Sequence, residues 1–167
     1  EVRAISQAIE AAIEARGLRP MRNLCGHGVG RWQVHCPPAI PNVTSLADGA
    51  RLRPGQAVAI EPFATDGLGL VAERGVAEVF RVEPARVPAS GLPGEIRDAL
   101  RELRGLPFSR RDLARFPRPD VEAALDELQQ TGALSSYAPL AEAGGRPVAQ
   151  AEHTLWIGEE GVEVLTC

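Results

Sequence analysis

The sequence predicts an α+β fold in which a mainly β body is interrupted by a helical block. Three observations lead there. Apolar residues recur at helical spacing at the start, then fall into short runs broken by Gly and Pro as far as residue 82. They return to helical spacing between residues 95 and 134, before strand-like patterning closes the chain.

Ile5, Ala8, Ile9, Ala12 and Ile13 lie three or four residues apart, with Glu10, Glu14 and Arg16 on the other side, so residues 2 to 16 read as an amphipathic helix that Gly17 stops. From Met21 to Val82 the patterning suits strands and irregular connections; "QAVAIEPF" (56–63) is the clearest strand, ended by Pro62. "VEPARVPASGLPG" (82–94) is a connection rich in chain breakers. Ile96, Leu100 and Leu103 then mark a helix over 95–104, "SRRDLARF" a short one over 109–116, and "PDVEAALDELQQTG" a third over 119–132, opened by Pro119 and Asp120 and closed by Gly132. "PVAQAEHTLWIG" (147–158) is a strand that pairs, through a Glu-Glu-Gly turn, with "GVEVLTC" (161–167) as a hairpin. The expected organisation is a body over 1–94, a helical insert over 95–146 and closing strands over 147–167.

With 167 residues, 44% of them apolar, and a formal charge of −4, the chain can bury a real core and falls in the ordinary globular range. It holds no run of eighteen apolar residues and no charged-then-apolar leader, which predicts neither a membrane span nor a secretory signal, and a cytoplasmic location. Cys25, Cys36 and Cys167 show no C-x-x-C spacing and read as reduced thiols, not as a disulfide framework or a structural zinc site. All 18 basic residues are arginine, a bias we assign to the base composition of the gene, and the mild acidity gives no overall nucleic-acid footprint. The chain opens at Glu1 directly into a helical pattern, which predicts that it continues a longer polypeptide.

"NLCGHGVGRWQVHCPP" (23–38) holds two of the three histidines. In one straight strand His27 and His35 would share a face but stand roughly 26 Å apart, at about 3.3 Å per residue. Glycines at 26, 28 and 30, with Pro37 and Pro38, let the backbone fold back so that the two imidazoles approach one point. Imidazole and carboxylate together suit Zn, Mn, Fe or Co, which directs attention to acids held on strands. Glu61 ends the apolar strand "AVAI", where a charge is costly unless it is paired or metal-bound. Alternation puts Gln150, Glu152 and Thr154 on one face and Ala151, His153 and Leu155 on the other, so Glu152 is preferred to His153. Cys25 and Cys36 read as small packing residues.

"NLCGHGVGRWQVHCPPAIPN" (23–42), "AVAIEPFATDGLG" (57–69), "GLPFSRRDLARF" (105–116) and "AQAEHTLWI" (149–157), in this order, resemble the C-terminal half of type 2 methionine aminopeptidases, the archaeal-like ones especially. The insert between Glu61 and Glu152 is what separates that form from the shorter type 1. The resemblance implies a pita-bread fold with a winged-helix-like helical insert, two divalent ions (Co, Mn, Fe or Zn), and removal of the initiator methionine from the N-terminal peptide of nascent proteins. His27 then matches a metal-ligating histidine, Glu61 a ligand that also shuttles a proton, and Glu152 a carboxylate shared by both metals. His35 matches a histidine that contacts the substrate amide and the developing oxyanion, and Val34 and Val79 match positions of the pocket for the methionine side chain. The family's centre also takes two aspartates and another histidine from its N-terminal half. On that pattern this chain alone is expected to bind metal weakly and to be inactive, the parent polypeptide being the enzyme.

Other readings compete. The three helices followed by "GALSSYAPL" resemble a winged helix, and Arg110, Arg111, Arg115 and Arg118 form a basic cluster suited to a ribosome or RNA contact. Against it stands a solvated arginine face beside Asp112 and Asp120, and no membrane or specific DNA partner is expected. A non-catalytic interaction module of the same fold would have replaced ligands, whereas His27, Glu61 and Glu152 all remain. Xaa-Pro peptidases share the fold, but "EPFAT" and the insert favour methionine removal.

Overall fold

The computed structural model describes residues 1–47 and 49–166; Asp48, and Cys167 at the end of the expected hairpin, lie outside the described residues. The chain runs α1 (Val2–Glu14), β1 (Arg19–Pro20), β2 (Cys25–Gly30), β3 (Gln33–Pro41), β4 (Gln56–Ile60), β5 (Phe63–Thr65), β6 (Val71–Glu73), β7 (Val79–Val82), α2 (Gly94–Glu102), β8 (Phe108–Ser109), α3 (Arg118–Gln130), β9 (Leu134–Tyr137), β10 (Leu140–Glu142), β11 (Val148–Gln150), β12 (His153–Ile157) and β13 (Val162–Val164). It divides into two compact units, Glu1–Ala72 with Leu140–Cys167, and Glu73–Pro139. Among the described residues no helix is long and apolar enough to cross a membrane.

In the first unit a five-stranded antiparallel sheet has the order β13-β12-β4-β2-β3. Helix α1 buries the stripe Val2, Ser6, Ile9 and Ile13, and Val2 joins Ile40 and Val58 in the core of this unit. The other side of α1 is tied down by Glu10, whose carboxylate accepts the backbone N–H of Thr44 at 2.9 Å. Gly17, at φ 69°, takes the left-handed conformation that ends a helix cheaply only when there is no side chain.

The strand expected over 56–63 and ended by Pro62 stops at Ile60, with the next strand starting at Phe63, and the one expected over 147–158 is split at the same level. Gln150 pairs with Phe63 and His153 with Ile60, so one register is carried straight across the gap and sets Glu152 opposite Glu61. The cause is Pro62, which has no N–H to give to the ladder. Its carbonyl still accepts from Ala151 N–H at 3.2 Å, enough to hold the two chains in step. The closing hairpin forms as expected from the alternation, with Leu155 opposite Val164.

In the second unit β7 is the centre of a three-stranded antiparallel sheet ordered β8-β7-β9. Its core gathers Phe80, Ile96, Leu100, Phe108, Leu125 and Leu128 from sheet and helices together. The short helix expected over 109–116 is a 3₁₀ turn, Arg110–Leu113, capped reciprocally by Ser109 and Asp112. Phe116 and Pro117 follow too closely for it to grow, because the residue before a proline is pushed out of the helical region.

Candidate functional site

The histidine stretch is a hairpin, and its glycines work differently from the sequence expectation. The reversal falls at Arg31 and Trp32, where Trp32 has φ 60°. Gly26 and Gly28 lie inside β2 and clear room for neighbouring backbone. A Cβ on Gly26 would stand 2.3 Å from the Ala59 carbonyl oxygen, and one on Gly28 2.3 Å from that of Pro37. Register shifts on either side of Gly28 mark a bulge. Bulges re-aim side chains, and here the two imidazoles meet edge to face, centroids 4.2 Å apart at 89°.

His27 is paired with Ala59 on β4, so its side chain leaves the sheet on the face that Glu61 uses two residues later. The two meet: Nε2 of His27 lies 2.9 Å from Oε1 of Glu61, with the side chains only 14% and 13% exposed. Nδ1 of His27 lies 2.9 Å from the Gly28 carbonyl oxygen, which can only accept, so Nδ1 carries the proton. The contact between Nε2 and Oε1 therefore closes on one shared proton or, in its place, a cation.

Glu152 faces Glu61 across the gap in the ladder, two like charges on directly opposed positions of antiparallel chains. Desolvation, then the charge of Glu152, hold the Glu61 carboxyl above the ordinary range, with His27 pulling the other way. Gln150 stands between the acids, its Nε2 donating to Glu61 Oε2 at 3.3 Å and to Glu152 Oε2 at 3.2 Å. Sequence reasoning placed Gln150 on the right face but gave it no role, because a neutral amide carries neither charge nor ligand spacing. His153 is on the opposite face and bonds through Nδ1 to the Thr166 carbonyl at 2.9 Å.

Desolvation, and then the nearness of His27, lower the pKa of His35, which favours its neutral imidazole. A cavity of about 500 Å³ opens beside the pair, lined among others by Leu24, Cys25, His27, His35, Cys36 and Ala39. Val34 is not among its lining residues: it precedes His35 on β3, is 39% exposed, and by alternation leaves the other side of the strand. Val79 lies on β7 in the second unit, opposite Ser109 and Tyr137. Desolvation and the charge of Glu61 push the Cys25 thiol up, which leaves it a poor nucleophile. The expected arginine cluster is largely neutralised within its own unit. Arg110 binds Glu122 and Glu78 at 3.0 Å each, Arg118 approaches Glu122 at 3.6 Å, and Arg115 approaches Glu102 at 3.9 Å.

Among the described residues no group of three His, Cys, Asp or Glu side chains is placed to hold a metal ion by itself. One imidazole nitrogen turned to a carboxylate, and two opposed carboxylates on a single sheet face, are nevertheless the kinds of donor that a divalent transition ion takes, as part of a larger ligand set.

Residues 1–91 match the family model described as metallopeptidase family M24. The chain is 38% identical over 170 residues to a methionine aminopeptidase of Thermococcus onnurineus, covering 99% of this chain and 57% of the relative. It is 39% identical over 171 residues to that of Methanothermobacter thermautotrophicus, covering 99% and 56%. The chain thus spans about half the length of the curated relatives it matches. A solved structure described as a thermophilic Arx1 superposes with a TM-score of 0.74 at 17% identity, over 96% of this chain and 44% of that one. A methionine aminopeptidase from Thermotoga maritima superposes with a TM-score of 0.55 at 22% identity, over 99% and 42%. At such identities the likeness is one of fold, and the fold is the pita-bread fold that the resemblance implies.

Proposed function

From a chain that belongs to metallopeptidase family M24, we infer one wall of the metal centre of an enzyme that hydrolyses the N-terminal methionine from nascent proteins. The active form is the polypeptide at the full length of its relatives, and the isolated chain is inactive. The observation that carries this reading is the meeting of His27 Nε2 and Glu61 Oε1 at 2.9 Å on the sheet face where Glu152 stands opposite. His27, Glu61 and Glu152 would hold divalent ions (Co, Mn, Fe or Zn). Bound there, the ions supply Lewis acidity, polarising the scissile carbonyl and stabilising the charge it gains.

The chain's own side chains account for the remaining steps. Glu61, kept above the ordinary carboxyl range by desolvation and by Glu152, is suited to take a proton at its carboxylate and return it to the leaving amine. His35, its neutral form favoured by desolvation and by His27, offers an N–H to the carbonyl oxygen as negative charge develops. The cavity at the two histidines accepts an unbranched apolar side chain; Val34 and Val79 are assigned to the methionine pocket by resemblance alone. The reaction runs in the cytoplasm, where nascent chains emerge.

The test is hydrolysis of Met-Ala-Ser by the full-length polypeptide loaded with Co²⁺ or Mn²⁺. Release of methionine is the expected result, lost on chelation and in Glu61→Gln. Activity confined to Xaa-Pro peptides would displace this reading in favour of a proline-directed peptidase.

A further inference from the structure

Two acids placed opposite one another across antiparallel chains repel, and rotation about their side-chain bonds would let them swing apart. Both ends of such a pair must be restrained if a cation is to find them together. The restraint also has to be neutral, since a third carboxylate would add to the repulsion and an ammonium or guanidinium would occupy the cation's place. A primary amide meets both conditions, because it is uncharged and its nitrogen carries two N–H groups that can be divided between two acceptors.

Gln150 is placed for this. It is the last residue of β11, on the face of Glu152 and diagonal to Glu61, with its own backbone fixed by pairing to Phe63. Its Nε2 reaches Oε2 of both acids, at 3.3 and 3.2 Å, while Oε1 of Glu61 stays turned to His27. We propose that Gln150 is a positioning residue of this site: one amide, donating an N–H to each carboxylate, sets the separation of Glu61 and Glu152 and leaves their remaining oxygens directed at the cation. The proposal rests on reading these acids as a metal-holding pair, but the clamp itself exists without metal.

Two measurements separate these layers. In the metal-free chain the Gln150 side-chain N–H signals, followed by nuclear magnetic resonance, should move in both Glu61→Gln and Glu152→Gln, variants that leave Gln150 in place. Signals unmoved by either change, or moved by one alone, overturn the clamp. Co²⁺ titration of the polypeptide at the full length of its relatives, read by visible absorption, should show affinity falling roughly 10- to 100-fold in Gln150→Met, with an altered Co²⁺ spectrum and an unchanged thermal midpoint. Equal affinity and an identical spectrum in that variant overturn the proposal. Absence of Co²⁺ binding in the unsubstituted polypeptide at the full length of its relatives counts instead against the metal-holding reading, and leaves the resonance experiment to decide on the clamp.

Discussion

Two glutamates show how environment assigns opposite properties to one side chain. Glu142 is 2% exposed and accepts backbone N–H groups from Gly144 at 2.7 Å and Arg146 at 3.0 Å, as well as from Leu68. Those bonds favour the ionised form and lower its pKa, the one to Arg146 contributing most. Its stabilising effect is therefore complete above the ordinary carboxyl pKa and is lost as pH falls through the lowered value. Glu61, shifted upward, runs the other way: its contribution is full below the ordinary value of 4.5 and fades as pH rises through the raised one. Thermal unfolding of Glu142→Gln should thus show a lowered midpoint near neutrality, and the gap to the unsubstituted chain should close on acidification. A gap that persists at the acid end would mean that packing, not charge, is what Glu142 supplies. His27, Glu61 and Glu152 could be picked out from the sequence because imidazoles are rare in it and because acids on apolar strands demand a partner. Glu142 and Gln150 could not, since their roles depend on which backbone and which carboxylates the fold brings within reach.

The site depends on how closely β2 approaches its neighbours. Gly28 faces two backbone carbonyls, and a Cβ there would stand 2.3 Å from one and 2.8 Å from the other, neither free to rotate away. Gly28→Ala should destabilise the chain by about 1–3 kcal/mol, the usual cost of overpacking, and should separate the imidazoles of His27 and His35. Denaturant unfolding together with the ring proton shifts of both histidines would check it; an unchanged midpoint would contradict the crowding. The helices were legible because their apolar periodicity survives into the fold. In α3, Leu128 is fully buried among Phe80, Phe108 and their neighbours, so Leu128→Ala should cost about 2–5 kcal/mol, measured by the same unfolding. The break between β11 and β12 was not legible in its own segment. It is imposed from the opposite chain, by a proline that pairs with an otherwise ordinary strand residue.

For the molecule as a whole, the sequence conveyed the succession of β body, helices and returning strands, while the contribution of β7 to the sheet of the second unit became evident only from its long-range pairing with β9, in which Val79 lies opposite Tyr137 and Val82 opposite Leu134. Long-range pairing of this kind leaves no local trace in composition. The same holds for the acids: Glu61 and Glu152 are remote in sequence and meet because one antiparallel register runs unbroken past Pro62. On that register rests the claim that the pair, with His27, holds divalent metal. Anomalous scattering from crystals of the polypeptide at the full length of its relatives, grown with Mn²⁺, addresses it directly. The account predicts a peak within about 2.0–2.6 Å of His27 Nε2 and of oxygens from both glutamates. A peak elsewhere in the molecule, or the two carboxylates turned away from one another with no peak between them, would contradict it.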